Sequence, residues 1–510
     1  MNALFRRKPI TALRDDHLDP QVGVEPGLRR SLGMWQLTSL GIGAIIGAGI
    51  FSGAGTAISG GPNHLGAGPG LVVSYVLVAI ACGFAALCYA EFASLIPQAG
   101  SAYTYAYATL GELVAWIIGW DLIIEYAVGN IAVAVSWSAY FVTLMEGFGI
   151  HIPPWMTTDP RTASQGFEAL QAAPGTTDTA LIAAGQAWTA APQLFGFPVI
   201  FNLPAVLIVA LITWILVIGI RESAWANTVM VVLKLAILLF FIAIGSFWVK
   251  PENWQPFMPN GWQGVFSGAA LIFFAYIGFD AVSTAVEEAK DPQRDMPRAM
   301  MLSLAVTSVI YIVVTLVMTG LVPWSSHGSA DPLAAAFTER GYDWAAGIIS
   351  FGAIIAMASV LLVFQMGQPR IFFSMARDGL LPPFAARLHP KYRTPHVTTI
   401  LTGAFVAFFA AFANINEVIE LTNIGTLFAF VLVAVGVMVL RWREPERHRP
   451  FRTPAVWFVA PAAIVSCGFL MFQLPMVTWI RFGIWLAAGL VIYFLYGYWK
   501  SALRDRSAAS

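Results

Sequence analysis

The sequence predicts an all-α integral membrane protein of twelve transmembrane helices, organised around two apolar segments that break within the membrane. Three observations carry this reading. Of the 510 residues 58% are hydrophobic and only 11% charged, with a mean hydropathy of +0.71, more apolar surface than soluble domains of ordinary composition can hide. The stretch Gly41–Phe51, GIGAIIGAGIF, is apolar enough for lipid yet carries four glycines in nine residues. Each interior glycine costs a helix about 0.5–1 kcal/mol relative to alanine, and open backbone survives at membrane depth only where it lines a cavity or is covered by protein. In the second half, Leu271–Ala281, LIFFAYIGFDA, is again an apolar run, interrupted by Gly278 and Asp280. One interrupted span in each half points to a binding site in a transporter built from repeats.

Windows long enough to cross about 30 Å of hydrocarbon give the elements in order. The first span covers about 35–58 and the second 71–95. A tyrosine-rich piece, 101–110, reads as a short interfacial helix, and the third span, 111–145, is long enough to be tilted. Spans four to eight fall near 201–220, 225–249, 264–287, 299–322 and 344–375. Spans nine to twelve fall near 397–412, 418–440, 455–474 and 482–499. Between spans three and four a loop of about 146–200, rich in Ala, Gly, Thr, Pro and Gln, is long for a connector and too weakly apolar to span; one short helix is expected near 178–188. Residues 1–30 are polar and basic without an apolar core, so no cleaved signal peptide is expected there.

Charge tests this layout, because cytoplasmic loops collect Lys and Arg. With the N-terminus inside, loops and helix ends on that side carry 23 of the 28 basic residues, and the opposite side carries Arg161, Lys250, Arg340 and Arg481. That asymmetry predicts both termini in the cytoplasm. The remaining basic residue, Lys234, lies about ten residues inside span five. An ionisable group there is a functional hypothesis by default, and a buried amine that loads and releases a proton would couple transport to a proton gradient.

Several function classes are set aside. The balance of 28 basic against 28 acidic residues argues against nucleic acid as a partner. Three cysteines, all in apolar runs, imply neither a disulfide framework nor a metal site. No HExxH, GxSxG or GxxxxGK[ST] motif occurs, all seven histidines fall outside the spans, and no cofactor is expected. The reading is therefore not an enzyme.

The motifs Leu40–Phe51, Ala90–Tyr103 (AEFASLIPQAGSAY), Gly119–Tyr126 (GWDLIIEY), Asn227–Lys234 (NTVMVVLK), Phe273–Ser283, Glu287–Arg298 and Arg370–Leu381 cover spans one to eight almost continuously. They resemble the amino acid, polyamine and organocation superfamily, in its cationic amino acid transporter branch and bacterial relatives. The resemblance implies a leucine-transporter-like fold with discontinuous helices one and six. Its first repeat would take about 31–249 and its inverted second repeat about 260–440, with peripheral helices eleven and twelve at about 455–499, within one membrane domain of 31–499 and ahead of a cytoplasmic tail of 500–510. It also implies secondary transport of an amino acid, as a proton-coupled importer or as an exchanger of the same fold, in a bacterial inner membrane. Whether a small accessory membrane subunit attends the chain is left open.

On that resemblance the amides of Gly47, Ala48 and Gly49 would face a substrate carboxylate, and the carbonyls of Ile45 and Ile46 its ammonium. Exposed N–H groups at a half-helix start favour an anion, and unwound carbonyls favour a cation. Ala48 stands where the family often has Ser or Thr, which makes the carboxylate contact wholly backbone. Phe274, Ala275 and Ile277 fall on the break in span six, with Phe274 as an outer gate. Lys234 matches a coupling lysine of proton-linked relatives, against the alternative of a permanently paired structural charge. Glu125, with Asp121 one turn before it, would face a substrate side chain, and Met357 and Ser359 in span eight would line the pocket. Glu91, Glu287, Glu288, Arg294, Arg298 and Arg370 would sit at cytoplasmic helix ends, either as an exchanging ion-pair gate or as solvated charges.

Overall fold

The computed structural model describes residues 3–8, 32–61, 64–96, 101–172, 179–218, 224–280, 282–283, 286, 289–392 and 394–504. Among them eight helices are long and apolar enough to cross a membrane, and Leu203–Ile218, His396–Phe412 and Val456–Phe472 are shorter apolar helices. Apart from helix the described residues form two small hairpins, Gly60–Gly61 with His64–Leu65 and Gln193–Leu194 with Phe197–Pro198.

The first span is made of two pieces. Helix α1, Met34–Ile45, starts where the Gln36 side chain accepts from the Gly33 amide at 2.7 Å, and it ends at Ile46, which is extended (ψ 102°). A π-turn, Gly49–Gly53, then leads into α2, Ala54–Ser59. Next come α3, Leu71–Leu95, the short α4, Ser101–Thr109, all of whose residues are buried, and α5, Glu112–Gly147. Gly111, at φ +106°, turns the chain between the last two, a conformation open to glycine at little cost.

The loop after α5 departs from the expected single helix. It folds as two, α6 Pro160–Ala172 and α7 Thr179–Ala190. A Cβ on Gly166 would lie 2.5 Å from the Ala184 Cβ, so small residues let the pair approach closely, over a separate apolar cluster of Ala163, Ala187, Ala191 and Ile200. The alanine and glycine that make this stretch look featureless are what join its helices.

The spans continue with α8, Leu203–Ile218, α9, Ala224–Ser246, and α10, Gly261–Ile272. Helix α11, Pro292–Leu321, begins about two turns before the apolar run, because Asp291 caps the Arg294 amide and Pro292 fits a first turn. A short α12, Pro332–Thr338, precedes α13, Asp343–Arg377. The rest is α14, His396–Phe412, α15, Ile415–Arg443, α16, Val456–Phe472, and α17, Met476–Ile492, which a π-turn extends to Lys500.

The broadest packing is α5 against α13, followed by α3 against α11, α6 against α7 and α5 against α15; α1 lies on α11 and α9. The elements of the first span are thus held inside the bundle, with 89% of its most apolar stretch buried. By contrast α17 and its extension show Leu495, Trp499 and Phe494 outward, as a helix at the edge of a membrane bundle does.

Candidate functional site

The two breaks touch. A Cβ on Gly49 would lie 2.2 Å from the Ala275 Cα, and one on Gly278 would lie 2.8 Å from the Ala44 carbonyl. The second break forms because α10 tightens into a 3-10 turn at Phe273–Tyr276, Ile277 is extended (ψ 133°), and Gly278 takes φ +122°. Its amide donates to Asp280 Oδ1 at 3.1 Å, so this carboxylate holds local structure.

A helix leaves its last four carbonyls without intrahelical donors and carries the negative end of its dipole there. At the end of α1 the last ladder bond runs from the Ile46 amide to the Ile42 carbonyl at 3.0 Å, and beyond it other spans supply donors: Gly43 accepts from Lys234 Nζ at 2.6 Å and Ile45 from the Tyr311 hydroxyl at 3.0 Å. At the end of α10 the Asn423 amide donates to the Ala270 and Leu271 carbonyls at 2.7 and 3.0 Å. Each broken helix therefore ends on a polar side chain brought by another span.

The expected site residues fall around this junction. Ile45, Ile46, Gly47, Ala48 and Gly49 are buried on the first break, and Phe274, Ala275 and Ile277 on the second. Span eight closes one side: a Cβ on Gly47 would lie 3.1 Å from Val360 Cγ2. Met357, one turn earlier, is fully buried, and the Ser359 hydroxyl donates to the Ala356 carbonyl at 2.9 Å. Glu125 and Asp121 are buried in α5; Glu125 has Asp280 and Thr426 as neighbours, and a Cβ on Gly425 would lie 2.7 Å from Asp121 Oδ1. No group of three metal-ligating side chains occurs among the described residues.

The helix-end charges are arranged otherwise than the sequence reading grouped them. Glu91 pairs with Arg441 at 2.8 Å and Arg449 at 3.1 Å and accepts from the Thr453 amide at 2.9 Å. Among the described residues Arg294, Arg298 and Arg370 form no ion pair, and Glu287 and Glu288 lie outside the described residues. Sequence reasoning missed Tyr311 and Asn423. A lone polar residue inside an apolar span is the signal both offered.

At the other end of the bundle His64, on the hairpin after α2, meets Glu420 of α15 at 2.6 Å, and Thr478 donates to the same carboxylate at 2.5 Å.

Residues 32–495 match the family model described as amino acid permease. This chain belongs to the amino acid permease family. It is similar to the branched-chain amino acid permease BcaP of Bacillus subtilis, 46% identical over 99% of each chain. It is also similar to a methylthioribose transporter of the same organism, 44% identical over 97% of this chain and 98% of that one. More distantly it is similar to a vacuolar cationic amino acid transporter 4 of Arabidopsis thaliana, 34% identical over 88% of this chain and 68% of the other. These relatives bear the names of permeases and transporters, and this permease is an integral, multi-pass membrane protein.

Proposed function

We propose that this permease is a proton-coupled amino acid importer that works by alternating access, with twelve spans in a leucine-transporter-like layout, both termini cytoplasmic and its place in a bacterial inner membrane. The observation that carries the reading is the Lys234 ammonium on the Gly43 carbonyl, at the C-terminal end of a broken helix. A charge there competes for the carbonyl rim that an amino acid's ammonium needs, so gain or loss of its proton changes what the rim offers. Phe274 covers the pocket, and Gly47, Ala48 and Gly49 offer amides to the carboxylate. The rim side chains Ile45, Ile46, Ala275, Ile277 and Met357 favour a neutral amino acid with an apolar side chain, in keeping with the name of the Bacillus branched-chain permease.

The test is uptake of labelled leucine, alanine and arginine into proteoliposomes. It compares an inward proton gradient, a sodium gradient, and preloaded amino acid with neither gradient. Accumulation of leucine with protons alone is expected. Uptake only against preloaded amino acid makes the protein an exchanger, and preference for arginine makes Glu125 the reader of a cationic side chain.

A further inference from the structure

The chain's two described ends converge away from the substrate pocket. Lys8 pairs with Asp378 at 3.0 Å, and its amide donates to the Tyr107 carbonyl. Tyr103 donates to the same Asp378 carboxylate at 2.7 Å, while the Ala502 amide donates to the Asp378 carbonyl at 3.0 Å. Between these ends lies a cavity of about 150 Å³ lined by Arg6, Glu112, Tyr498 and Arg504.

Charge and depth both suit a particular ligand. The Glu112 carboxylate accepts from Tyr493 at 3.0 Å, Ser501 at 2.5 Å and Tyr107 at 3.3 Å, so three neutral hydroxyls hold it in place. Two guanidiniums line the cavity against this one carboxylate. Arg504 is seated over Trp499 at 4.8 Å and Tyr498 at 5.5 Å, contacts that restrain a planar guanidinium of the kind that suits phosphate. Trp499, Leu495 and Phe494, 59, 76 and 47% exposed, give this end of the last span the outward aromatic and apolar surface that suits the headgroup level.

We propose that this cavity binds a phosphate-bearing anion, with Arg6 and Arg504 as its ligands, and that the anion ties the two chain ends over Asp378. The membrane depth favours a phospholipid headgroup as the source. The proposal concerns binding alone and is tested without transport, so it stands or falls separately from the coupling reading.

The experiment measures the melting temperature of the purified full chain in neutral detergent, titrated with phosphatidylglycerol, phosphatidylcholine or inorganic phosphate. The comparison includes Arg6→Gln/Arg504→Gln, Arg6→Lys/Arg504→Lys and, as a basic control at the same end, Arg443→Gln. Phosphatidylglycerol is expected to stabilise the wild type, the lysine variant partly and the control fully, with an apparent affinity roughly 30-fold weaker in the glutamine variant. Stabilisation by inorganic phosphate with the same arginine dependence assigns the site to a free anion. Equal titrations of wild type and glutamine variant, or equal loss in Arg443→Gln, overturn the site. Should the double glutamine variant not fold, Arg6→Gln alone carries the same comparison, with about a fivefold loss expected.

Discussion

Lys234 and Gly43 are joined by a 2.6 Å hydrogen bond from an ammonium in α9 to a carbonyl that the break in α1 leaves without its helical donor. The break thus creates the acceptor, and the dipole of α1 places negative potential where the ammonium sits. Lys234→Ala removes the ammonium from this contact and leaves the backbone amides of Gly47, Ala48 and Gly49 in place. Accumulation driven by a pH gradient should fall to the level of empty liposomes while exchange of preloaded substrate persists. Unchanged accumulation would remove Lys234 from the coupling step.

The close approach of the breaks makes Gly49 sensitive to one methyl group. In Gly49→Ala the new Cβ meets backbone, the Ala275 Cα at 2.2 Å, which cannot swing aside as a flexible side chain would. Overpacking of this kind costs about 1–3 kcal/mol, and here it also pries the two halves of the site apart. A Cβ added to Gly83 in α3 would meet nothing within 4 Å, so Gly83→Ala should be neutral or gain about 0.5–1 kcal/mol from helix propensity. Only Gly49→Ala should lower the melting temperature, and only Gly49→Ala should lose uptake.

Asn423 presents the same logic with a neutral donor. Its amide serves two carbonyls at the end of α10, and Asn423→Leu leaves both buried without it. The expected loss is on the order of 1–3 kcal/mol, read as a lower melting temperature, with substrate affinity weakened because the second break loses its anchor. A variant with unaltered affinity and stability would show that the carbonyls find other donors.

Much of this was legible in the sequence, for identifiable reasons. Both breaks announced themselves because glycine within an apolar run has a backbone cost that close packing or a binding site must offset, and Lys234 because an ammonium in lipid has no cheap alternative. Span two was read to the residue, 71–95, since its hydropathy is unbroken. What stayed hidden depends on chain segments distant in sequence. That Glu91 pairs with Arg441 and Arg449, 350 and 358 positions on, follows from how α3 meets the last turn of α15 and the loop after it, and no local pattern encodes it. The helices α6 and α7 were obscured because alanine and glycine give little periodic signal. Their pairing rests on the close fit of Gly166 against Ala184, a matter of shape.

His327 supplies the pH dependence. It lies in the loop between α11 and α12, 1% exposed, with the Gly55 backbone close to its carbonyl. Burial, the dominant cause, lowers its pKa from 6.5 to about 4, against a smaller opposing effect of hydrogen bonding to the Met318 and Val322 backbone. The folded protein therefore binds fewer protons at this site than the unfolded chain between those values. The resulting stabilisation is complete above pH 6.5 and is lost as pH falls toward 4, to a limit on the order of 3 kcal/mol. Lowering pH from about 7.5 to about 4.5 should depress the melting temperature of the wild type more than that of His327→Asn, whose side chain does not titrate. The variant should start lower at neutral pH, through poorer packing, and follow a shallower slope. Parallel curves would mean that His327 is protonated to the same extent in both states and that the acid limit of the protein is set elsewhere.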